Sequence, residues 1–398
     1  MQKRLLVLAA GILQIPVIKK AKDIGYYVIA ADGDENAMGL QYADKAVVAN
    51  ITSEEDMLQI AKDLNVDGVI HPCSEVSMNV MGRINDELHL SGISKEMAIR
   101  ATNKHLMRIA FEEYGAPSPK SYCTTAASEA WDIFSNKFET NAILKPSRNS
   151  GSRGIAKIGC GITQNEFTEL YERAYNESRD KQVLIEEFIE GPEFSVEIIV
   201  WQGKVNVLTV TDKKTTGAPY FVELGHNQPS VFPTEIVNAV ETAAVQGVEA
   251  LKLNNCACHA EIKVQNGKAY IMEIGARLGG DFISTELTHL STGIDMVAAA
   301  INVALGIEPN LEPTEEKHGV CIRYFCPKPG ILEQICNIEI LNQIGVYNWE
   351  IYRKIGDIIP IVTSSLCRTG HVIVKEKDPQ KAINLADKII KEVLIKTI

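Results

Sequence analysis

The chain has 398 residues, of which 45% are hydrophobic and 23% charged, and it carries a formal net charge of −11 at pH 7. A chain of this length and apolar content should fold into more than one domain. Its acidic balance argues against a nucleic-acid partner. It shows no signal peptide and no apolar run near the roughly 18 residues of a membrane span. We therefore expect reduced cysteines, no membrane partner and a cytoplasmic location.

The first hundred residues alternate between strand-like and helix-like segments. RLLVLAA, YYVIAAD and DGVIHP are strand-like, whereas IPVIKKAKDIG and EEDMLQIAKDLN are helix-like. This alternation predicts a parallel sheet with helices on both faces. The first loop has one glycine, Gly11, where a dinucleotide fold requires G-x-G-x-x-G, so NAD binding is not expected. His71 and Glu75 follow a strand end, where a substrate can bind.

The remaining chain divides at two Pro-rich stretches and at a change from mixed to strand-rich sequence. A helix and a small α/β lobe come first, a strand-rich part that ends in a helix follows, and short strands with a final helix close the chain. The predicted domains are an N-terminal Rossmann-like part, a small lobe with its linker helix, a large lobe and a C-terminal α+β part: 1–100, 101–190, 191–305 and 306–398.

A short apolar strand that contains Lys145 runs directly into a loop of small and basic residues, 147–154. Small residues let backbone N–H groups approach an anion closely, and Lys145 would supply charge to a phosphate. The loop is not a P-loop, because GxxxxGK[ST] before a helix is absent. A surface hairpin tip explains it equally well.

The segment 183–197 runs from an apolar strand through a Gly-Pro break into a second, alternating strand. A connection of this kind can present backbone groups to an adenine edge, and Glu193 is placed to accept hydrogen bonds from ribose hydroxyls. An ordinary turn with solvated carboxylates is the alternative.

Two alternating runs, HAEIKV and AYIMEI, are joined by Gln-Asn-Gly at 265–267, which predicts a β-hairpin. Glu261 and Glu273 each lie in an apolar run, where an unpaired charge is costly. A cation between them resolves that cost, and two carboxylates with phosphate oxygens are typical of Mg²⁺ sites. Arg277 would complete a phosphoryl-transfer site. A surface hairpin with solvated glutamates is the alternative.

Other polar residues near these motifs are ambiguous. His259 shares a strand face with Glu261, so it neighbours the metal or simply packs in the strand. Cys256 and Cys258 lie two residues apart, which favours packing on one strand face over zinc binding.

Taken in order, these segments resemble the ATP-grasp superfamily over roughly residues 1–310. The resemblance is carried by the NK…MR element at 103–108, GAPSP, the LKP strand and its loop, the LIEEFIEGPEFSVE hinge, and the paired glutamates with Arg277. EIGARLGGD and PYFVELGHNQPS are most similar to the branch that contains carbamoyl-phosphate-synthetase-like enzymes and L-amino acid ligases. Gly275 departs from the pattern, because many members carry an asparagine there that completes the metal shell.

The resemblance implies an α/β, partly α+β, ATP-grasp fold and a set of site residues. Magnesium, or manganese in its place, would be held by Glu261 and Glu273, and Arg277 and Lys145 would be catalytic. The substrate contacts that it implies are Glu75, Glu223, His226, Arg277 and Gly280. It makes the polar segment around His226 a substrate wall, and an ordinary loop histidine is the alternative. The ATP contacts that it implies are Lys104, Lys145, Ser150, Gly151, Ser152, Gly154, Glu186, Phe188, Ile189 and Glu193.

The activity implied by the resemblance is ATP-dependent joining of a carboxylate to an amine, with amino acids as substrates. The reaction would pass through an acyl phosphate and release ADP and phosphate. Two alternatives remain open: an enzyme like the phosphoribosylglycinamide synthetases, formyltransferases or carboxylases, and an ATP-binding module without catalysis. A homodimer is the expectation from the family.

Overall fold

The computed structural model describes residues 2–149 and 153–398. Its N-terminal part is a four-stranded parallel sheet with helices packed against it, as the alternating sequence predicted. The elements are β1 (Arg4–Leu8), α1 (Ile15–Ile24), β2 (Tyr27–Asp32), β3 (Lys45–Val48), α2 (Glu54–Asp63), β4 (Gly68–Ile70), α3 (Met78–Leu88) and α4 (Lys95–Thr102). The strand order is β3-β2-β1-β4. Strand β3 was missed, because it is short and mostly exposed.

The linker helix α5 (Lys104–Tyr114) carries two cations of the site. It begins at Asn103, whose side chain accepts a hydrogen bond from the Leu106 N–H at 3.0 Å, and it ends at Gly115, which has a φ of 80°. Lys104 and Arg108 are four residues apart, so both lie on one helix face.

The small lobe contains a four-stranded antiparallel sheet with two helices. Its elements are β5 (Ser121–Thr124), α6 (Ala127–Lys137), β6 (Ala142–Pro146), β7 (Ala156–Ile158), α7 (Gln164–Glu177) and β8 (Val183–Glu187). The strand order is β5-β8-β6-β7. Phe134, Phe167 and Tyr171 fill the space between the helices and the sheet. This lobe therefore has its own hydrophobic core.

The second half of the chain is built around an eight-stranded sheet. Its elements, with a short C-terminal sheet, are β9 (Glu193–Trp201), β10 (Lys204–Thr215), β11 (Glu223–Gln228), α8 (Thr234–Ala250), β12 (Cys256–Gln265), β13 (Lys268–Gly275), α9 (Thr288–Thr292), α10 (Met296–Ala304), β14 (Gly319–Phe325), β15 (Gly330–Cys336), β16 (Val346–Ile351), β17 (Ile358–Ile359), β18 (Gly370–Glu376), α11 (Pro379–Glu392) and β19 (Leu394–Thr397). The order in the large sheet is β13-β12-β9-β10-β11-β14-β18-β16, and β17-β15-β19 form the smaller one.

The predicted hairpin is present as β12 and β13. Their register places Glu261 directly opposite Glu273, and the ladder is irregular immediately after Glu261. At the hinge before β9, a Cβ on Gly191 would collide with the carbonyl oxygen of Val264, so this turn requires glycine. The hinge at Gly191 is therefore held against the β12–β13 hairpin.

The large sheet continues across the predicted boundary at residue 305. Strand β11 pairs with β14 through four residue pairs, and β14 pairs in turn with β18. The four predicted domain limits stay predictions, but hydrogen bonds join the last two parts into one sheet. Within the described ranges, no helix is both long and apolar enough to cross a membrane.

Candidate active site

Each of the two predicted metal carboxylates is paired with a lysine from another element. Lys104 Nζ on α5 lies 2.8 Å from Glu273 Oε1. Lys213 Nζ on β10 lies 3.0 Å from Glu261 Oε1. The side chain of Glu273 is 25% exposed and that of Glu261 is 32% exposed, so a ligand can reach both carboxylates.

This pair of carboxylates fits a magnesium ion that arrives with phosphate oxygens. Glu261 and Glu273 are adjacent across the ladder and supply hard oxygen ligands, and Mg²⁺ usually takes one or two carboxylates and completes its shell with phosphates and water. Among residues 2–149 and 153–398 no cluster of three or more His, Cys, Asp or Glu side chains is arranged as a metal site. The two carboxylates suit an ion whose remaining positions are filled by phosphate oxygens and water.

Lys213 is a central residue of the site that the sequence did not reveal. Besides Glu261, its Nζ lies 2.7 Å from Glu193 Oε1 and 3.8 Å from Glu223 Oε1. Burial alone would lower the pKa of Lys213, but the three carboxylates raise it well above its usual value. Lys213 in turn holds the pKa of Glu261 well below its usual range. One ammonium thus joins the predicted ribose, metal and substrate positions.

A second charged group lies between α5 and the small lobe. Glu186 is fully buried, and its carboxylate accepts hydrogen bonds from Arg108 Nε at 2.7 Å and Arg108 Nη2 at 3.1 Å. Lys145 Nζ lies 2.9 Å from Glu186 Oε2. Burial alone would raise the pKa of Glu186, but the two cations lower it to about 2. The Glu186 side chain is thus enclosed by cations, and its strand is paired on both sides, with β5 and with β6. The structure therefore gives Glu186 a role in holding Lys145 and Arg108 and shows no free group of it for an adenine.

The hinge places a ring and two cations beside the predicted adenine position. Lys157 Nζ lies 4.0 Å from the centre of the Phe188 ring and Lys263 Nζ lies 5.2 Å from it. Ile189 is buried. These contacts place an aromatic ring and two positive charges at the predicted adenine position.

Of the predicted phosphate loop, the structure describes Gly154 but not Ser150, Gly151 and Ser152, which lie outside the described residues. Gly154 has a φ of 74°, and a Cβ there would come within 2.9 Å of both Glu177 and Pro146. Glycine is therefore required at this end of the loop.

Arg277 reaches from the end of the hairpin to the N-terminal sheet. Its Nη2 lies 3.2 Å from Glu75 Oε1, and both side chains are largely buried. Burial and the nearby Glu273 raise the pKa of Glu75. A Cβ at Gly275 would lie 3.2 Å from Arg277 Nε, so an asparagine at this position would require the arginine side chain to shift by a few tenths of an ångström.

His71 is not open to a substrate, in contrast to the prediction from its strand end. It is 1% exposed, its Nδ1 lies 2.8 Å from the carbonyl oxygen of Leu8, and its Nε2 accepts the Ser77 N–H at 3.2 Å. Burial lowers its pKa to about 4. Both ring nitrogens are occupied, so His71 fixes the loop that leads to Glu75.

The predicted substrate wall is a buried strand and not a loop. His226 lies on β11 at 1% exposure, and its Nε2 is 3.4 Å from Asp281 Oδ2. Arg368 donates two hydrogen bonds of 2.7 Å to Asp281. Glu223 accepts a hydrogen bond from Ser365 Oγ at 3.2 Å, and nothing lies within 4 Å of a Cβ built on Gly280. The C-terminal part thus contributes residues to this wall that the sequence analysis missed.

His259 lies behind the metal carboxylates. Its Nδ1 is 2.5 Å from Glu197 Oε1, and its Nε2 is 3.8 Å from Glu261 Oε1. Burial alone would lower the pKa of His259, but Glu197 outweighs it and raises the pKa to about 9. His259 is therefore hydrogen-bonded in the core, as one alternative predicted, and it also adjoins the predicted metal ligand Glu261, as the other predicted.

Comparison with known families agrees with this geometry. Residues 138–286 match the family model of the ATP-grasp domain, and residues 323–397 match that of L-amino acid ligase C-terminal domain 2. The alanine–anticapsin ligase of Bacillus subtilis (strain 168) is 28% identical in an alignment of length 276. The alignment covers 64% of this chain and 58% of that protein. The chain thus spans little more than half of that relative.

Two solved structures share the fold over nearly their whole length. The L-amino acid ligase from Bacillus licheniformis has a TM-score of 0.84 at 20% identity and covers 100% of this chain and 99% of its own. The phosphoribosylglycinamide synthetase from Anaerococcus prevotii has a TM-score of 0.79 at 26% identity and covers 100% of both chains. The predicted family and fold are confirmed, and the matches agree with an ADP-forming carbon–nitrogen ligase.

Proposed function

Because this chain belongs to the ATP-grasp superfamily, we propose that it joins the carboxylate of one amino acid to the amine of another at the expense of ATP. The observation that carries the proposal is the Glu261–Glu273 pair, whose carboxylates contact Lys104 and Lys213 and lie near Arg277. Two carboxylates among three cations suit a magnesium–nucleotide complex and a phosphoryl group in transfer.

The chemistry requires activation, because a carboxylate is a poor electrophile and oxide is a prohibitive leaving group. A substrate carboxylate oxygen attacks the γ-phosphorus of ATP, which breaks the bond to the β-phosphate oxygen and gives an acyl phosphate and ADP. The amine then attacks the acyl carbon, phosphate leaves, and the amide forms as the nitrogen loses a proton. Magnesium held by Glu261 and Glu273 would offset charge on the phosphate oxygens.

The chain's own residues would bind and orient the nucleotide. Lys104 and Lys145 would exchange their present carboxylate partners for phosphate oxygens, and Glu193 would leave Lys213 for the ribose hydroxyls. Phe188 and Ile189 would hold the base. Since each cation already sits against an anion, phosphate binding replaces one charge-assisted contact with another.

The substrate end of the cleft offers both charges that an amino acid carries. Arg277 would bind the carboxylate and later the acyl phosphate, and Glu75 and Glu223 would attract an ammonium group. These three residues come from the hairpin end, the N-terminal sheet and β11, so the pocket requires the folded whole. A cytoplasmic location and a homodimer remain expectations.

The likeness to phosphoribosylglycinamide synthetase supports one rival, in which the amine belongs to a phosphoribosyl substrate. Such a substrate needs an additional basic pocket for its phosphate. Two arginines adjoin the substrate wall, Arg368 paired with Asp281 and Arg323 paired with Asp387. A substrate phosphate there would have to displace one of these carboxylates in addition to those that ATP displaces, so we favour amino acids.

A coupled ADP-release screen over pairs of amino acids tests the proposal, with formate, bicarbonate and phosphoribosylamine as further arms. We expect ADP only when a carboxylate and an amine are both present with Mg²⁺, and a product whose mass equals the two amino acids minus water. Turnover confined to the phosphoribosylamine arm would establish the rival. Nucleotide binding without turnover in any arm would indicate a module that does not catalyse.

A further inference from the structure

A buried acid–histidine pair, Glu197 and His259, lies beside Glu261. Glu197 on β9 is fully buried, and within the described part of the chain His259 is its ion-pair partner. Its second oxygen, Oε2, accepts a hydrogen bond of 2.5 Å from Ser284 Oγ. Burying a carboxylate is costly unless its lone pairs are satisfied, so the two donors fix its position.

The same network joins the metal hairpin to the loop that carries Arg277. Ser284 Oγ accepts the Gly279 N–H at 2.7 Å, and a Cβ on Gly279 would lie 2.6 Å from His259 Nδ1. The backbone of this loop is thus packed directly against the histidine ring. His259 is therefore held by Glu197 on one side and by the loop on another.

The two metal carboxylates differ in what supports them. Glu273 has Lys104 as its partner, a residue that nucleotide binding would draw away. Glu261 has Lys213 and also His259 Nε2 at 3.8 Å, which belongs to no predicted nucleotide or substrate contact. His259 therefore remains beside Glu261 when the nucleotide binds.

We propose that His259, held by Glu197, positions the carboxylate of Glu261 for magnesium and so sets the affinity for the metal–nucleotide complex. This inference rests on the proposed Mg²⁺–ATP site. His259 is a positioning residue, since its Nε2 lies 3.8 Å from the carboxylate of Glu261 and it is not itself one of the proposed metal ligands. Partners of this kind fix the orientation of a metal ligand, and their loss typically costs about 10- to 100-fold in affinity or activity.

The test is calorimetric titration of ATP into the whole protein at a series of Mg²⁺ concentrations, which requires no knowledge of the acceptor substrates. His259→Asn should raise the half-saturating Mg²⁺ concentration about tenfold or more, and ATP affinity without Mg²⁺ should stay as in the wild type. His89→Asn is the matched control, because His89 is exposed at the left-handed end of α3, where Asn is tolerated.

Glu197→Gln provides a second variant of nearly the same shape in case His259→Asn fails to fold, and it should shift the Mg²⁺ requirement in the same direction. A folded variant with lower thermal stability and an unchanged Mg²⁺ requirement would overturn the proposal and leave a structural role. If the wild type itself binds ATP without any dependence on Mg²⁺, the proposed function fails instead, so the two failures are distinguishable.

Discussion

Arg277 and Glu75 are 202 residues apart in the sequence, yet Arg277 Nη2 lies 3.2 Å from Glu75 Oε1. The contact joins the hairpin that carries the metal ligands to the loop that follows β4 of the N-terminal sheet. It fixes the guanidinium in place without any ligand. In the proposed reaction this cation would be positioned where charge develops during phosphoryl transfer.

Arg277→Ala should lower kcat by about a hundredfold or more, with a smaller change in ATP affinity, since the guanidinium would act chiefly in the transition state. Arg173→Ala removes an exposed guanidinium and is the control. Measuring kcat and Tm on one preparation separates the roles: an ordinary structural pair predicts a lower Tm with kcat per folded molecule preserved.

Glu273→Gln should reduce turnover far more than it reduces stability. The ladder between β12 and β13 does not depend on the charge, and Lys104 retains its hydrogen bond of 2.9 Å to the carbonyl oxygen of Asn149. ADP release is to be followed against Mg²⁺ concentration, with Glu333→Gln on exposed β15 as the matched control. Near-normal ADP release at limiting Mg²⁺ would remove Glu273 from the metal site.

Lys145→Met and Glu186→Gln should have different effects although the two residues are paired. Arg108 still neutralises Glu186 when Lys145 is lost, so the fold should persist while ATP affinity falls at least tenfold. Glu186→Gln leaves two buried cations without an anion and should cost about 3 kcal/mol of unfolding free energy. Calorimetry measures the ATP affinity of both variants, and urea denaturation measures their unfolding free energy. Wild-type ATP affinity in Lys145→Met would exclude a role of Lys145 in phosphate binding.

Acid should destabilise the protein partly through His71. Its pKa is lowered from 6.5 to about 4 by burial, so between these values the unfolded chain binds a proton that the folded chain does not. The contribution is present above pH 6.5 and is lost as the pH falls to about 4, with a slope of up to about 1.4 kcal/mol per pH unit.

His71→Gln should therefore flatten the decline in unfolding free energy between pH 6.5 and 4, as measured by urea denaturation at several pH values. Burial also lowers the pKa of His371 to about 4, so His371 should contribute equally to the pH dependence of the unfolding free energy in the wild type and in His71→Gln. An identical slope in wild type and variant would show that His71 titrates normally.

The regular patterns of the sequence predicted most of the fold. Period and turn chemistry located the N-terminal parallel sheet, the Asn103-capped helix and the hairpin at 256–275. The ordered motifs also led to Glu261 opposite Glu273, and the likeness to a known superfamily supplied their roles.

Two kinds of feature could not be predicted from the sequence. One is the face of the sheet on which a strand residue lies, and the other is contact between residues far apart in the chain. Lys213 and Lys214 are adjacent residues of the same type. The Lys213 side chain is 3% exposed and contacts Glu193, whereas the Lys214 side chain is 54% exposed and lies beside Asp387. Arg368 reaches Asp281 from a part of the chain 87 residues away. No local period carries such information, since it arises only when the sheets assemble.

The continuity of the large sheet limits how the molecule can open. Strands β11, β14 and β18 are joined by ladder hydrogen bonds, so the C-terminal part cannot swing away from the metal hairpin without breaking them. The small lobe has a separate sheet, and its ion pairs to α5 run through Arg108 and Glu186. Admission of a nucleotide is therefore expected to be a rotation of this lobe about the hinge at Gly191, with the substrate wall as the stationary half.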